Sequence, residues 1–275
     1  MDWTSVLLVN FGVLCVSFFL LWLVCLPMKD STIVDAYWAA GTVVLAVSTT
    51  LQTGLTDRNM LLLAICAVWG VRLAGYMFWR WLDHGPDRRY QKMFDRLKRD
   101  KGWGFPLASL IAVILTQAPL QYLVSLPVQL GQIDVEPVAL GALAWAGAGV
   151  AVFGIIFECI ADYQLTKFRK TPGNEGKVMQ AGLWKYSRHP NYFGEALVWW
   201  GLWVIAAETA TGVWSFIGPA FLTWTLMKWS GAPTMENRMR RTKPEYVSYI
   251  ERTSSFVPWF PKSPPRDDDA RSTAS

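Results

Sequence analysis

Charged residues are scarce in this chain, at 17% of its 275 residues, where a soluble globular domain carries about a quarter. With 52% hydrophobic residues, too much apolar surface remains for an ordinary soluble core, and the excess must face lipid. Histidine is nearly absent: His84 and His189 are the only two, so a multi-histidine metal centre is excluded. The four cysteines, Cys15, Cys25, Cys66 and Cys159, lie inside apolar stretches without CxxC or Cys/His spacing. They read as buried small hydrophobes, which excludes a disulfide framework or a zinc site. There is no GxGxxG, no P-loop signature and no internal repeat, so a Rossmann domain and an ATP-driven pump are disfavoured.

What the chain does have is long apolar runs. Crossing a hydrocarbon core of about 30 Å takes roughly 20 apolar residues as a helix. Windows of that length occur at about 5–27, 32–53, 59–82, 105–125, 138–160, 190–208 and 212–230. The first has no basic n-region before it and no small-x-small site after it, so it reads as a span and not a signal peptide. The expected fold is an all-α, multi-pass bundle of about seven transmembrane helices. A single reductase-like domain is expected over 1–262, followed by a disordered tail over 263–275 that contains Pro264-Pro265 and Asp267-Asp268-Asp269.

The net charge of +5 is concentrated in three polar segments, so it speaks of orientation and not of nucleic acid. Arg88, Arg89, Lys92, Arg96, Lys98, Arg99 and Lys101 follow the third span. Lys167, Arg169, Lys170, Lys177, Lys185 and Arg188 follow the fifth, and Arg238, Arg240, Arg241, Lys243 and Arg252 the seventh. The segment Ser125 to Pro137 and the turn near Glu208 carry no Lys or Arg. This alternation predicts the N-terminus outside and the C-terminus in the cytosol. The protein is expected in the inner membrane if bacterial and in the endoplasmic reticulum if eukaryotic, among membrane lipids as its neighbours.

Ionisable residues inside a span are costly and tend to face an interior, a partner or a water-filled cavity. Asp35 in the second window, Arg72 in the third and Glu195 in the sixth are such residues; Asp35 and Arg72 also admit a plain interhelical pair. Gln117 and Gln121, four apart, share a face and read as interhelical glue. The fifth helix is expected to continue past the membrane through Glu158, Asp162, Lys167 and Arg169, before a turn at Gly173 to Gly176. Ser187 then reads as a helix cap with Pro190 in the first turn. Such a helix start, with Lys185 and Arg188 beside it, suits a phosphate. Asn191 and Glu195, at i and i+4, would hold a carboxamide or ribose hydroxyls. Glu236 and Arg240 read as a helix-stabilising i,i+4 pair.

The segment GLWKYSRHPNYFGEALVWWGLW, residues 182–203, together with Pro244 to Thr253, Phe256 to Phe260, Asp35-Ala36-Tyr37-Trp38 and Trp69 to Leu73, resembles the membrane reductases related to steroid 5α-reductases. The likeness is to their DUF1295 branch in particular, and more loosely to the sterol reductases. It implies a seven-helix bundle that binds NADPH from the cytosolic side and admits a lipid-like small-molecule substrate from the membrane. Asp162 and Arg169 then resemble the cofactor-binding acid and base, Asn191 and Glu195 the pair near the nicotinamide, and Arg72 a third-span arginine near the cofactor. Arg188, His189, Tyr192 and Arg238 complete the expected cofactor-binding set, and no metal is implied. Where the steroid enzymes carry a Gln-Glu pair and a third-span tyrosine against the substrate carbonyl, this chain has Asp35, Tyr37 and Trp69. The substrate implied is therefore a steroid-like or other enone lipid. Hydride transfer to a conjugated double bond needs a dry site and an acid near the carbonyl, for which Asp35, Tyr37 and Tyr76 are the candidates.

Two other readings stand beside this one. Isoprenylcysteine and phospholipid methyltransferases, which use S-adenosylmethionine, share the Arg-His-Pro-x-Tyr core, but they usually carry a tandem Glu-Glu in the tail where this chain has Met235-Glu236. A non-enzymatic transporter or assembly factor would place polar residues through the full membrane depth, whereas here they crowd towards one side.

Overall fold

The computed structural model describes residues 2–262; the expected disordered tail, 263–275, lies outside the described residues. Those residues are helical, with one isolated parallel bridge between Ser187 and Ser254. In chain order the helices are α1 (Trp3–Met28), α2 (Ile33–Thr53), α3 (Asp57–His84), α4 (Arg88–Lys101), α5 (Phe105–Ser109), α6 (Leu115–Val124), α7 (Leu126–Leu130), α8 (Ala142–Lys170), α9 (Pro190–Ala206), α10 (Ile217–Trp224), α11 (Ala232–Thr242) and α12 (Glu245–Arg252).

Among the described residues, five helical stretches are long and apolar enough to cross a membrane: α1, α2, α3, the continuous run Phe105–Val124, and α8. They match the first five expected windows closely, and the chain is an integral, multi-pass membrane protein. The fourth is one run made of α5, a π-helical turn at Leu110–Ile114 and α6. Pro119 sits inside α6, where its missing N–H removes one i→i−4 bond. The last two windows are helical but irregular. α9 has 17 residues, about 25 Å at 1.5 Å per residue. The following stretch passes from a 3₁₀ turn at Gly212–Phe216 through α10 into a π turn at Thr225–Trp229.

The chain forms two compact units. The first comprises Met1–Val152 and Val198–Phe221. Its α1 and α2 bury an apolar cluster of Leu14, Phe18, Leu21, Cys25, Val34 and Leu45, joined by Val113 and Ile114 from the π turn. Many large apolar side chains stay exposed, among them Leu8, Phe11, Val16, Phe19 and Leu20 on α1, as a lipid-facing helix requires. Polar contacts fasten the same helices where apolar attraction is weak in lipid. Asn10 Nδ2 donates to Thr49 Oγ1 (2.8 Å) and to Gln129 Oε1 (3.0 Å), and Gln129 Nε2 donates to Ser125 Oγ (2.9 Å). Gln121, expected as interhelical glue, is fully buried, and its amide donates to Trp38 O. Arg58, in the first turn of α3, is buried against Glu208 (3.4 Å). Glu208 also accepts from Gly141 N (3.1 Å) and Ala144 N (2.9 Å), the first turn of α8.

α4 packs against the apolar cluster of this unit. Asp87 caps it by accepting from Arg89 N (2.7 Å), and it ends at Gly102, whose positive φ of 70° suits glycine. Tyr90, Met93 and Phe94 pack on the apolar cluster, while the lysines and arginines of α4 remain exposed.

The second unit comprises Phe153–Leu197 and Leu222–Ser275. Here α8 and α9 approach until a Cβ at Gly194 would sit 2.8 Å from Glu158 N and 2.9 Å from Gly154 O. Only glycine fits against backbone that close. α12 buries Tyr246 and Tyr249 against Val178.

Candidate functional site

The second unit gathers most of the polar residues singled out by the sequence. α8 carries Glu158 and Asp162, one helical turn apart, exposed by only 2% and 6%. α9 carries Asn191, Tyr192 and Glu195, all half-buried. The close approach at Gly194 sets the two rows on paired helices. Arg169 stands exposed near the end of α8, and Arg238 exposed on α11.

The entry into α9 is built by contacts distant in sequence. Arg188 N donates to Ser254 O (2.9 Å), Trp259 N to Tyr186 O (2.9 Å), and Ser187 Oγ to Phe256 O (2.7 Å). Trp184 Nε1 donates to Ala161 O (3.0 Å), and the Tyr249 hydroxyl to Trp184 O. Ser187 is therefore not the cap expected for α9, which begins at Pro190. Its hydroxyl accepts from His189 N (3.1 Å) instead, and it holds the approach segment to the C-terminal stretch.

Arg188 and His189 are buried, and both are spoken for. Arg188 Nε donates to Glu236 Oε1 (2.8 Å), and Nη1 donates to Ile250 O (3.0 Å) and Thr253 O (2.5 Å). His189 Nε2 lies 3.1 Å from the same Glu236 oxygen, and its ring stacks on Tyr192 with centroids 5.4 Å apart and planes 6° off parallel. Burial alone would raise the Glu236 carboxyl, but hydrogen bonds and positive charge from His189 and Arg188 hold it below the ordinary glutamate range. The expected Glu236–Arg240 pair is not formed, because Glu236 turns inward to two buried bases. The sequence reading passed over Glu236 as a site residue; its signal was its place in the tail motif, opposite the Arg-His-Pro core.

The first unit holds the candidate proton donors, each among different neighbours. Asp35 accepts from the Tyr90 hydroxyl (2.7 Å) and from Arg89 Nη2 (3.3 Å), so its ion-pair partner is Arg89 of α4. Burial, then the charge of Asp35, pushes the Tyr90 phenol above its ordinary value. Tyr37 meets Phe18 edge to face at 5.1 Å, within the α1–α2 apolar cluster. Tyr76 stacks on Trp79 at 6.1 Å, with the Arg80 guanidinium 5.8 Å from its ring. Arg72 is half-buried on α3, and Trp69 is fully buried, edge to face with Trp199 at 5.3 Å. Among the described residues, no group of three or more His, Cys, Asp or Glu side chains is placed to hold a metal ion.

A multi-pass helical membrane protein, with buried acids and bases collected at the start of one helix, is the class these observations define. The chain belongs to the family described as a protein of unknown function, DUF1295, whose profile matches residues 21–253. An uncharacterised protein of Schizosaccharomyces pombe is 22% identical over 74% of this chain and 64% of its own length. The 3-oxo-5-alpha-steroid 4-dehydrogenase 1 of Macaca fascicularis is 33% identical over 42% of this chain and 40% of its own. The human protein of the same name is 35% identical over 31% of this chain and 30% of its own. The chain thus spans under two thirds of the length of each of these relatives. No solved structure matches it.

Proposed function

We propose that the chain is an NADPH-dependent membrane reductase that acts on an activated C=C bond of a lipid-like substrate, a steroid-like or other enone. The observation that carries the reading is the 33% and 35% identity to two proteins named 3-oxo-5-alpha-steroid 4-dehydrogenase 1. The donor set of the second unit suits a dinucleotide by its chemistry. Arg169 and Arg238 are cations for phosphates, Asp162 and Glu195 are acceptors for ribose hydroxyls, Asn191 is an amide for a carboxamide, and Tyr192 is an aromatic face backed by His189. Arg72, in the first unit, is assigned to the cofactor on the family resemblance alone. Arg188 acts within the second unit's set as the brace that positions His189 and Glu236.

NADPH supplies a hydride when bound. The chain's own task is to orient the acceptor, exclude water and hold a proton for the carbon next to the one reduced, or for the carbonyl oxygen. Asp35, Tyr37 and Tyr76 are the residues assigned to that proton. The reading treats residues 1–262 as one working reductase domain, cytosolic at its C-terminus.

A methyltransferase reading is favoured by one observation: Glu236, in the tail motif, pairs with Arg188 and His189 of the shared core. Thermal unfolding of the purified protein with NADPH or S-adenosylmethionine separates the two. Stabilisation by NADPH and not by S-adenosylmethionine is expected; the reverse establishes the methyltransferase, and no shift with either removes both.

A further inference from the structure

One buried carboxylate of the first unit belongs neither to the fastening pairs nor to the residues assigned to the reaction. Asp30 sits on the short connection from α1 to α2 and is only 7% exposed. Its Oδ1 accepts from Thr32 N (2.9 Å) and Thr32 Oγ1 (2.6 Å), and its Oδ2 accepts from Trp81 Nε1 (2.8 Å). Among the described residues it joins no ion pair. The basic residues that adjoin it or its partners are engaged elsewhere or exposed. Arg80 lies against the Met77 sulfur (3.4 Å) and the Tyr76 ring (5.8 Å), Arg89 is paired with Asp87 (2.9 Å) and Asp35 (3.3 Å), and Lys29 is exposed.

A buried carboxylate without a countercharge is costly, and hydrogen bonds from neutral donors offset only part of that cost. Each carboxylate oxygen offers two lone-pair sites, so Oδ2, with the indole as its one partner, keeps a place for a further donor. Beside it opens a cavity of about 280 Å³ walled by Met28, Asp30, Trp81, Leu82, Gly85 and Pro86. That volume falls just below the usual range of ligand sites, about 300–1,000 Å³, and suits a small polar group better than a dinucleotide. Its walls come from the end of α1 and the end of α3, two helices long and apolar enough to cross a membrane. The cavity therefore lies at the depth of lipid headgroups, on the side where the basic helix α4 begins.

We infer that this cavity seats the primary ammonium of an aminophospholipid headgroup, with Asp30 Oδ2 accepting one of its N–H groups and the ammonium supplying the missing countercharge. The seat is independent of the reductase reading. An ammonium with N–H groups makes a charge-assisted hydrogen bond to a carboxylate, which a quaternary choline cannot make. A headgroup that carries negative charge alone is repelled by Asp30. Lys29, next in the chain and exposed, suits the phosphate that accompanies the ammonium in such a headgroup.

The test is native mass spectrometry of the full chain in detergent with phosphatidylethanolamine, its N,N-dimethyl derivative, phosphatidylcholine or phosphatidylglycerol, all with the same acyl chains. The wild type should hold one phosphatidylethanolamine about tenfold more tightly than phosphatidylcholine or phosphatidylglycerol. The dimethyl lipid, which keeps one N–H, should stay nearer to phosphatidylethanolamine than to phosphatidylcholine. Asp30→Asn should bring the four lipids within about twofold of one another. Leu82→Trp, which fills the cavity and leaves Asp30 in place, should weaken phosphatidylethanolamine by about tenfold and unfold at the wild-type temperature in phosphatidylcholine nanodiscs. It decides the matter should Asp30→Asn fail to fold. Equal retention of the four lipids by the wild type, or a preference that survives in either folded variant, overturns the inference. Soluble ethanolamine that stabilises the chain in phosphatidylcholine nanodiscs as strongly as phosphatidylethanolamine does would assign the seat to a free amine, and overturn the lipid assignment.

Discussion

Two buried polar regions of this protein are built from similar residue types to different ends. In the first unit, Asn10, Thr49, Gln129 and Ser125 form a neutral chain of hydrogen bonds, and Arg58 and Glu208 are matched one to one. In the second, one carboxylate, Glu236, serves two buried bases, Arg188 and His189. A buried polar residue in a membrane helix thus marks a functional site poorly on its own. A carboxylate shared between two buried bases marks it better, because neutral networks and ions paired one to one already account for themselves as fastening.

The comparison breaks most readily at Glu236. Replacing Glu236 by Ala leaves the Arg188 guanidinium buried without its carboxylate, at a cost of about 3–5 kcal/mol, seen as a large drop in the denaturation midpoint in detergent. In the first unit, Glu208→Gln strands Arg58 in the same way, with about 3 kcal/mol expected. There, however, the double change Arg58→Met with Glu208→Met should recover most of the loss, since the pair has no task beyond fastening. Gly201→Val should cost about 1–3 kcal/mol, because a Cβ at Gly201 would lie 2.6 Å from Ala151 N and from Gly147 O, backbone atoms with nowhere to go.

An acid titration sharpens the contrast further. The folded-state carboxyl of Glu236 lies below its ordinary value of 4.5. The stability it contributes is fully present above that value and is lost as pH falls through the lower folded value. Glu236→Gln should flatten this acid-side decline in unfolding midpoints measured between neutrality and the acid limb. The smallest expected effect is Gln129→Leu, about 1 kcal/mol, in keeping with hydrogen bonds between membrane helices.

Much of the fold was legible because lipid imposes a length and a composition that a linear reading detects. α1, α2, α3, the run from Phe105 and α8 fall where apolar windows lie, and α8 continues to Lys170 as its charged extension suggested. The irregular stretch from Gly212 to Trp229 was read as a single span, because hydropathy does not register a change from 3₁₀ to α to π geometry. The site was legible only in part. Asn191, Tyr192 and Glu195 share a helix start, so their spacing exposes them. Glu236 meets Arg188 across 48 positions and Tyr90 meets Asp35 across 55, and no local period reports such pairings. Ser187 misled for the same reason, since its partner Phe256 O lies 69 positions away.

The measurement that bears most directly on the account is NADPH binding by Glu195→Gln set beside Gln129→Leu, each with its unfolding temperature in the absence of ligand. Glu195→Gln should lose NADPH affinity while unfolding close to the wild-type temperature, and Gln129→Leu should unfold earlier while binding NADPH as the wild type does. If Glu195→Gln binds NADPH unchanged, the polar residues at the start of α9 are fastening like those of the first unit, and the cofactor assignment fails.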